Sequence, residues 1–247
     1  MQMVINEIKG RFAGSVGGLF WHFLHPILML IIYLFVFVHV FKMRVAGGGS
    51  EASSIYLMAG LFPWIIMAEG LMRGTSSVIE NSNLIQKTSF PTEILTAKAI
   101  LAPLLSYGVA LVLLMLYSAV THLSFVALAL VPLILIVQTI FSTGVVFLTS
   151  SLSVFFRDTL QLVQVIISFW LYVTPILYPV SMLPEWAQKI MYLNPVYPLV
   201  SVYQSVLLNG DAGNWSMLLL SVVWASVFFV GGAFVFNKLK YEFADWL

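Results

Sequence analysis

The sequence predicts an all-α membrane protein with six transmembrane helices. Hydrophobic residues make up 61% of the 247 residues and charged residues 9%, whereas soluble domains have about 45–50% and about 25%. The mean hydropathy is +1.00. Long runs also lack any Asp, Glu, Lys or Arg, and a spanning helix needs about 20 apolar residues. The 11 basic and 10 acidic residues are too few to cover a soluble surface.

Composition also excludes several functions. The net charge of +1 gives no basic surface for nucleic acid. The absence of cysteine excludes disulfides, thiolate catalysis and cysteine-ligated metals. No run matches the phosphate-binding G-x-x-x-x-G-K-[ST] loop, so we expect this chain to bind no nucleotide itself.

The charge-free runs define the spans. Residues 99–156 contain two of them, joined by a short turn at 121–124. The first span competes with a secretory signal peptide, but its apolar run of about 23 residues is longer than a signal core of 7–15. The predicted spans are 19–41, 55–72, 99–120, 125–150, 162–179 and 215–236.

The distribution of Lys and Arg predicts that both termini are cytoplasmic, because basic residues favour cytoplasmic loops. In this orientation only Lys42, Arg44 and Lys189 lie outside. The basic residues on the inside are Lys9, Arg11, Arg73, Lys87, Lys98, Arg157, Lys238 and Lys240.

Residues 1–20 predict an amphipathic helix that lies in the membrane interface. Apolar side chains recur near a 3.6-residue period at Val4, Ile8 and Phe12. Small residues four apart (Gly10, Gly14 and Gly18) favour either close helix packing or a flat seat for a partner.

The segment 73–98 is the largest predicted cytoplasmic loop. The capping-box pattern from Ser77 to Glu80 predicts a short helix that begins there. Pro91 suits the first turn of the next helix. The short helix either floats at the interface or docks into a groove of a partner. Further along, Arg157 and Asp158 form a charged turn between spans, which membrane-edge anchoring alone explains.

The segment 180–212 is external yet apolar, and several prolines interrupt it. A pair of short helices that re-enter the bilayer fits this pattern. Irregular backbone at that depth is tolerated only where protein or a water-filled cavity covers it, so the segment indicates a pore mouth or gate.

Catalytic chemistry is poorly supported. Glu69 is the one clear ionisable residue within a span, and a pair with Arg73 at i,i+4 explains it. The four histidines have no metal-ligand spacing, so no metal site is expected. Aromatic residues at helical spacing either face lipid and pack, or line a path for a sugar chain; they are Tyr33, Phe37, Phe41, Trp170, Tyr172 and Tyr178.

Four motifs in order along the chain carry a resemblance to a known family. They are residues 7–15 (EIKGRFAGS, followed by Gly17, Trp21 and Pro26), 83–95 (NLIQKTSFPTEIL), 155–158 (FFRD) and 193–198 (LNPVYP). Together they resemble type-2 ABC-transporter permeases, and most closely the exporters of O-antigen, capsular polysaccharide and teichoic acid.

The resemblance implies one permease domain over 1–247, paired with a second copy of itself and with two copies of a cytoplasmic ATPase that holds ATP and magnesium. It implies an ATPase-coupling surface of Glu80, Asn83, Gln86, Lys87, Phe90, Pro91, Glu93, Arg157 and Asp158. Lys9, Arg11 and Trp21 would lie where the lipid-linked substrate enters. Pro184, Trp186, Asn194, Pro195 and Tyr197 would form the exit gate.

We therefore expect a non-catalytic subunit of the bacterial inner membrane that exports an undecaprenyl-linked polysaccharide. Three alternatives remain at this stage. They are a type-2 exporter of a small lipid or drug, an intramembrane lipid-sugar enzyme that depends on Glu69, and a non-transporting assembly protein.

Overall fold

The computed structural model describes residues 50–87, 91–122, 125–210 and 214–247, with a few positions between 24 and 40. Its described residues form helices and contain no strand. From Ser50 onward the helices are α1 (Ser50–Glu80), α2 (Ser82–Lys87), α3 (Thr92–His122), α4 (Phe125–Phe155), α5 (Thr159–Val173), α6 (Glu185–Met191), α7 (Tyr197–Asn209), α8 (Trp215–Leu239) and α9 (Phe243–Trp246).

Four of these helices are long and apolar enough to cross a membrane. The candidate spans are Ala52–Glu80, Thr92–Val120, Leu128–Phe155 and Trp215–Leu239. Even the shortest has 25 residues, about 37 Å of helix against a hydrocarbon core of about 30 Å. The second, third, fourth and sixth predicted spans are therefore confirmed as spanning-length helices, and the chain is a multi-pass membrane protein.

The first and fifth predicted spans are not among these four helices. α5 coincides with the fifth span but is only 15 residues long. The first span, with Tyr33, Phe37 and Phe41, lies outside the described residues, as does the predicted interfacial helix 1–20 with Lys9 and Arg11. Trp21 also falls outside them.

The predicted helix start at Ser77 is wrong. α1 continues through Ser77, whose hydroxyl donates to the Gly74 carbonyl 2.7 Å away inside the same helix. The adjacent Val78 is fully buried, which stabilises this last turn. α1 ends at Glu80, the side-chain amide of the following Asn81 donates to the Ser77 carbonyl at 2.7 Å, and α2 begins at Ser82. Pro91 lies directly before α3 and not in its first turn, where the pattern predicted it.

Glycines bring two pairs of helices into unusually close contact. Gly144 of α4 and Gly232 of α8 pack backbone against backbone, so that a Cβ atom at either position would overlap main-chain atoms of the other helix. At Gly74 of α1 a Cβ would lie 2.5 Å from the Val146 methyl carbons of α4. Small residues permit such approach in membranes, where tight packing replaces the hydrophobic drive between helices.

The main core lies between α1, α4, α7 and α8. α7 is the innermost short helix, and its side chains Tyr203, Val206 and Leu207 are fully buried. The two short helices predicted within 180–212 are therefore present as α6 and α7, and α7 packs among the long helices.

A second apolar cluster lies at the end of the bundle that carries α2. We call this end the α2 end, and the opposite end, which carries α6, the α6 end. Phe243 of α9 is fully buried, with its ring centroid 5.5 Å from that of Phe236. Val78 and Ile85 belong to the same cluster. The last residues of the chain therefore fold back onto the end of the bundle.

Candidate functional site

The coupling surface suggested by the sequence is centred on α2. Asn83 and Gln86 lie three residues apart on this helix and are exposed, while Ile85 is half-buried in the apolar cluster beneath it. Glu80, at the end of α1, is also exposed. α2 thus exposes Leu84 together with the two polar side chains and turns Ile85 toward the bundle. The Lys87 side chain and all of Phe90 lie outside the described residues.

The charged turn between α4 and α5 lies at the same end of the molecule. Phe155, the last residue of α4, has its ring 6.4 Å from Phe243 and 5.3 Å from Trp246. The next residues, Arg157 and Asp158, are exposed. The structure therefore brings this turn and α2 to one end of the bundle, where both contact the C-terminal segment, residues 240–247.

Glu93 has a partner that sequence reasoning missed. Lys240 Nζ lies 2.6 Å from Glu93 Oε1, across 147 residues of sequence. The hydrogen bond to this carboxylate raises the pKa of the Lys240 ammonium above its usual value. The pair joins the start of α3 to the end of α8.

Glu69 forms the predicted ion pair with Arg73. Its carboxylate accepts a hydrogen bond from the Arg73 guanidinium one turn along α1. Beside this pair, a polar cleft of about 260 Å³ separates the end of α1 from the start of α3. Ser76, Glu80 and Lys98 are among its lining residues. Among the described residues, no group of three or more acidic, histidine or cysteine side chains could hold a metal ion.

At the α6 end of the bundle, Asn194 ties α5 to the link between α6 and α7. Its Oδ1 accepts hydrogen bonds from Trp170 Nε1 at 2.9 Å and from the Val196 backbone at 3.1 Å. Its Nδ2 donates to Thr174 Oγ1 at 2.9 Å. One amide side chain therefore satisfies three polar groups on two segments.

A second polar junction surrounds the carbonyl of Pro175, which follows α5. The Tyr56 hydroxyl of α1 donates to it at 3.3 Å and the Gln204 amide of α7 at 3.4 Å. The Tyr56 hydroxyl also lies 3.3 Å from the Tyr178 carbonyl. Sequence reasoning missed Tyr56 and Gln204, although each is a polar side chain in an otherwise apolar stretch.

The remaining candidate gate and aromatic residues divide into an exposed and an internal group. Trp186 is 67% exposed and Tyr172 66%; Pro184 is also exposed. Tyr197 is buried, and its ring packs against Tyr192 at 5.9 Å. Pro195 and Tyr178 are half-buried.

Trp170 belongs to the internal group. Its indole makes edge-to-face contacts with Trp64 at 6.3 Å and Phe141 at 6.4 Å, in addition to its hydrogen bond with Asn194. These contacts give Trp170 a packing role inside the bundle. Among the candidate aromatic residues Trp170, Tyr172 and Tyr178, Tyr172 is therefore the exposed one.

Replacing Asn194 by leucine should destabilise the α6 end. The change removes the partner of the Trp170 and Thr174 polar groups, and each buried group left unsatisfied costs about 1–3 kcal/mol. We expect a lower apparent unfolding temperature in detergent than for the natural chain. The matched variant Asn237→Leu, at an exposed position of α8, should unfold like the natural chain. Equal unfolding temperatures for the two variants would contradict the role assigned to Asn194.

Comparison with known proteins agrees with this architecture. Residues 1–208 match the ABC-2 type transporter family. The chain belongs to this family. Two Klebsiella pneumoniae proteins named O-antigen export system permease protein RfbA are 32% and 31% identical to it, each over 97% of this chain and 91% of the relative. A Myxococcus xanthus protein of the same name is 25% identical over 99% of this chain and 94% of its own length.

The match to the ABC-2 type transporter family covers most of the helices described above, from α1 to α7. The match runs from the N-terminus through α7 and stops at residue 208. α8 and the C-terminal segment lie beyond it, whereas the matches to the three relatives cover 97–99% of the chain. The ion pair joins this last part to α3 and the apolar cluster joins it to α2, and only the structure reveals these contacts.

Proposed function

We propose that this chain is the transmembrane subunit of an ATP-driven exporter of O-antigen type polysaccharide, carried on an undecaprenyl lipid. The observation that carries the proposal is the similarity, over nearly the whole chain, to three proteins named O-antigen export system permease. The multi-pass helical fold supports it, because a polymer exporter needs a membrane channel and this chain supplies helices of spanning length.

In this proposal the permease forms no bonds itself. Two copies pair around a channel, and two copies of a separate ATPase bind ATP and magnesium at the cytoplasmic face. In this proposal the α2 end and both termini face the cytoplasm, because basic residues favour cytoplasmic loops. The exposed polar side chains of α2 and the turn at 157–158 support a docking surface there.

The opposite end supports an exit role. α6 and α7 form the re-entrant region, and the Asn194 and Pro175 junctions hold it against α5 and α1. Opening would require these few hydrogen bonds to rearrange, while the buried face of α7 keeps the region attached to the bundle. The basic residues Lys9 and Arg11 support the binding of a lipid pyrophosphate at the cytoplasmic interface, and we assign Trp21 to the same entry site.

Purification of the tagged chain from its own cells in a mild detergent tests the proposal. We expect a complex with roughly equimolar ATPase that hydrolyses ATP, and faster hydrolysis when lipid-linked O-antigen is added. Stimulation by a small lipid or drug alone would favour an exporter of that class. Failure of any ATPase to co-purify under several mild conditions would refute the exporter proposal.

Aromatic side chains along the channel are the proposed track for the glycan, and Tyr172 tests this idea. The variant Tyr172→Ala should slow the export of long polymers about two- to tenfold, since one ring contact contributes about 0.5–1.5 kcal/mol. ATPase assembly should not change. Tyr241→Ala, at the α2 end and 80% exposed, is the control. Unchanged export of long chains by Tyr172→Ala would remove the track.

A further inference from the structure

The C-terminal segment, residues 240–247, holds the region around α2 at two separate points. Lys240 forms the ion pair with Glu93, which lies in the first turn of α3 just beyond α2. Phe243 is fully buried, and Leu247 packs into the same apolar cluster as Ile85 of α2. A polar and an apolar contact thus fix the segment on both sides of the α2–α3 link.

The same segment is anchored to a tightly packed pair of long helices. Its Phe243 ring lies 5.5 Å from Phe236 of α8 and 6.4 Å from Phe155 of α4. Further along, α4 and α8 meet through Gly144 and Gly232 with main chain against main chain. Such close packing transmits displacement with little internal yielding.

The covalent chain connects α2 directly to α1 and α3 only. A push on α2 would therefore reach α4 and α8 by two routes: through α1, which packs on α4 at Gly74 and Val146, and through the C-terminal segment, which contacts both helices. This segment bridges Ile85 and Glu93 on one side with Phe155 and Phe236 on the other.

We propose that residues 240–247 act as a strut that carries the movement of α2 to the α4–α8 pair, with Lys240 and Phe243 as positioning residues. The inference rests on the proposed docking of the ATPase at α2. A segment that merely covered an apolar patch would need Phe243 but not the Lys240–Glu93 pair. Partly exposed ion pairs contribute little to folding stability, so a functional effect of this pair would reveal its role in coupling.

Charge reversal of the pair tests the strut. The measurement is the amount of polymer exported per ATP hydrolysed, with the permease–ATPase complex reconstituted in vesicles and lipid-linked O-antigen as substrate. Lys240→Glu should retain the ATPase but lower this ratio at least about fivefold, the lower range of coupling between distinct sites, and Glu93→Lys should lower the ratio to the same extent. The swapped double variant Glu93→Lys/Lys240→Glu should restore most of the ratio.

Lys238→Glu is the matched control, since it makes the same charge change at an exposed residue two positions away. It should behave like the natural chain. The strut would be overturned if both single reversals exported as much polymer per ATP as the natural chain. It would also be overturned if the swapped variant did not regain this ratio. Loss of the ATPase from the natural complex would instead overturn the proposed function, so the two failures are distinguishable.

The absence of cysteine from the chain permits a second test that does not depend on charge. Glu93→Cys/Lys240→Cys removes the ion pair and should export poorly per ATP. Joining the two thiols with a short bifunctional maleimide should restore the ratio, because a strut moves together with the α2–α3 link. If cross-linking instead leaves the ratio low or blocks export, the two segments move apart during the cycle and the strut is refuted.

Discussion

Gly232→Ala is expected to lower the apparent unfolding temperature of the permease in detergent by about 6–12 °C, because overpacking of about 3 kcal/mol converts at about 2–4 °C per kcal/mol in a chain of this size. The added methyl group would overlap the Gly144 carbonyl oxygen of α4. That obstacle is main chain and cannot rotate away, so α4 and α8 must separate. Thermal unfolding followed by size-exclusion chromatography measures the effect.

The neighbouring glycine provides a closely matched control. A Cβ at Gly231 would meet nothing within 4 Å. Gly231→Ala should therefore leave the unfolding temperature unchanged or raise it slightly, because alanine favours a helix by up to about 1 kcal/mol over glycine. If the two variants unfold at the same temperature, α4 and α8 do not pack as closely as the structure shows.

The double variant Asn83→Trp/Gln86→Trp should bind the ATPase at least about tenfold more weakly. Both side chains are exposed on α2, so two indoles should not disturb folding. Within a closely packed docking surface, however, each excess side chain costs about 1–3 kcal/mol, and about 1.4 kcal/mol corresponds to a tenfold change in affinity. Titration of purified ATPase onto the solubilised permease measures the loss.

Asn237→Trp controls for the addition of an exposed indole, since Asn237 is an exposed residue of α8 outside the proposed docking surface. Its affinity for the ATPase should equal that of the natural chain. Membrane insertion and yield should be the same for all three proteins. If the double variant binds the ATPase as tightly as the natural chain does, the docking surface lies elsewhere and α2 is only an interfacial helix.

Local signals in the sequence predict much of this fold. Charge-free runs locate the long helices, since charged residues are excluded from the hydrocarbon core. The break between α4 and α5 falls at Phe156–Asp158, as the FFRD turn indicates. The prolines within 180–212 predict interrupted helices, and the structure has two short helices there, α6 and α7.

The capping-box signal failed because a local preference met a longer-range constraint. Ser77 could cap a new helix, but continuing α1 buries Val78 completely in the cluster that contains Phe236 and Phe243. The Ser77 hydroxyl then bonds back to the Gly74 carbonyl. Such packing of a residue against the distant C-terminus leaves no trace in the four-residue motif.

The sequence alone determined that the chain is helical, crosses the membrane several times and carries the motifs of ABC-2 type permeases. Only the tertiary structure decided which helix faces meet: Gly144 with Gly232, Lys240 with Glu93, and Asn194 with Trp170. The physical reason is that lipid is as apolar as the interior of the bundle. Faces that pack and faces that meet lipid therefore carry similar residues, and hydrophobic periodicity does not distinguish them.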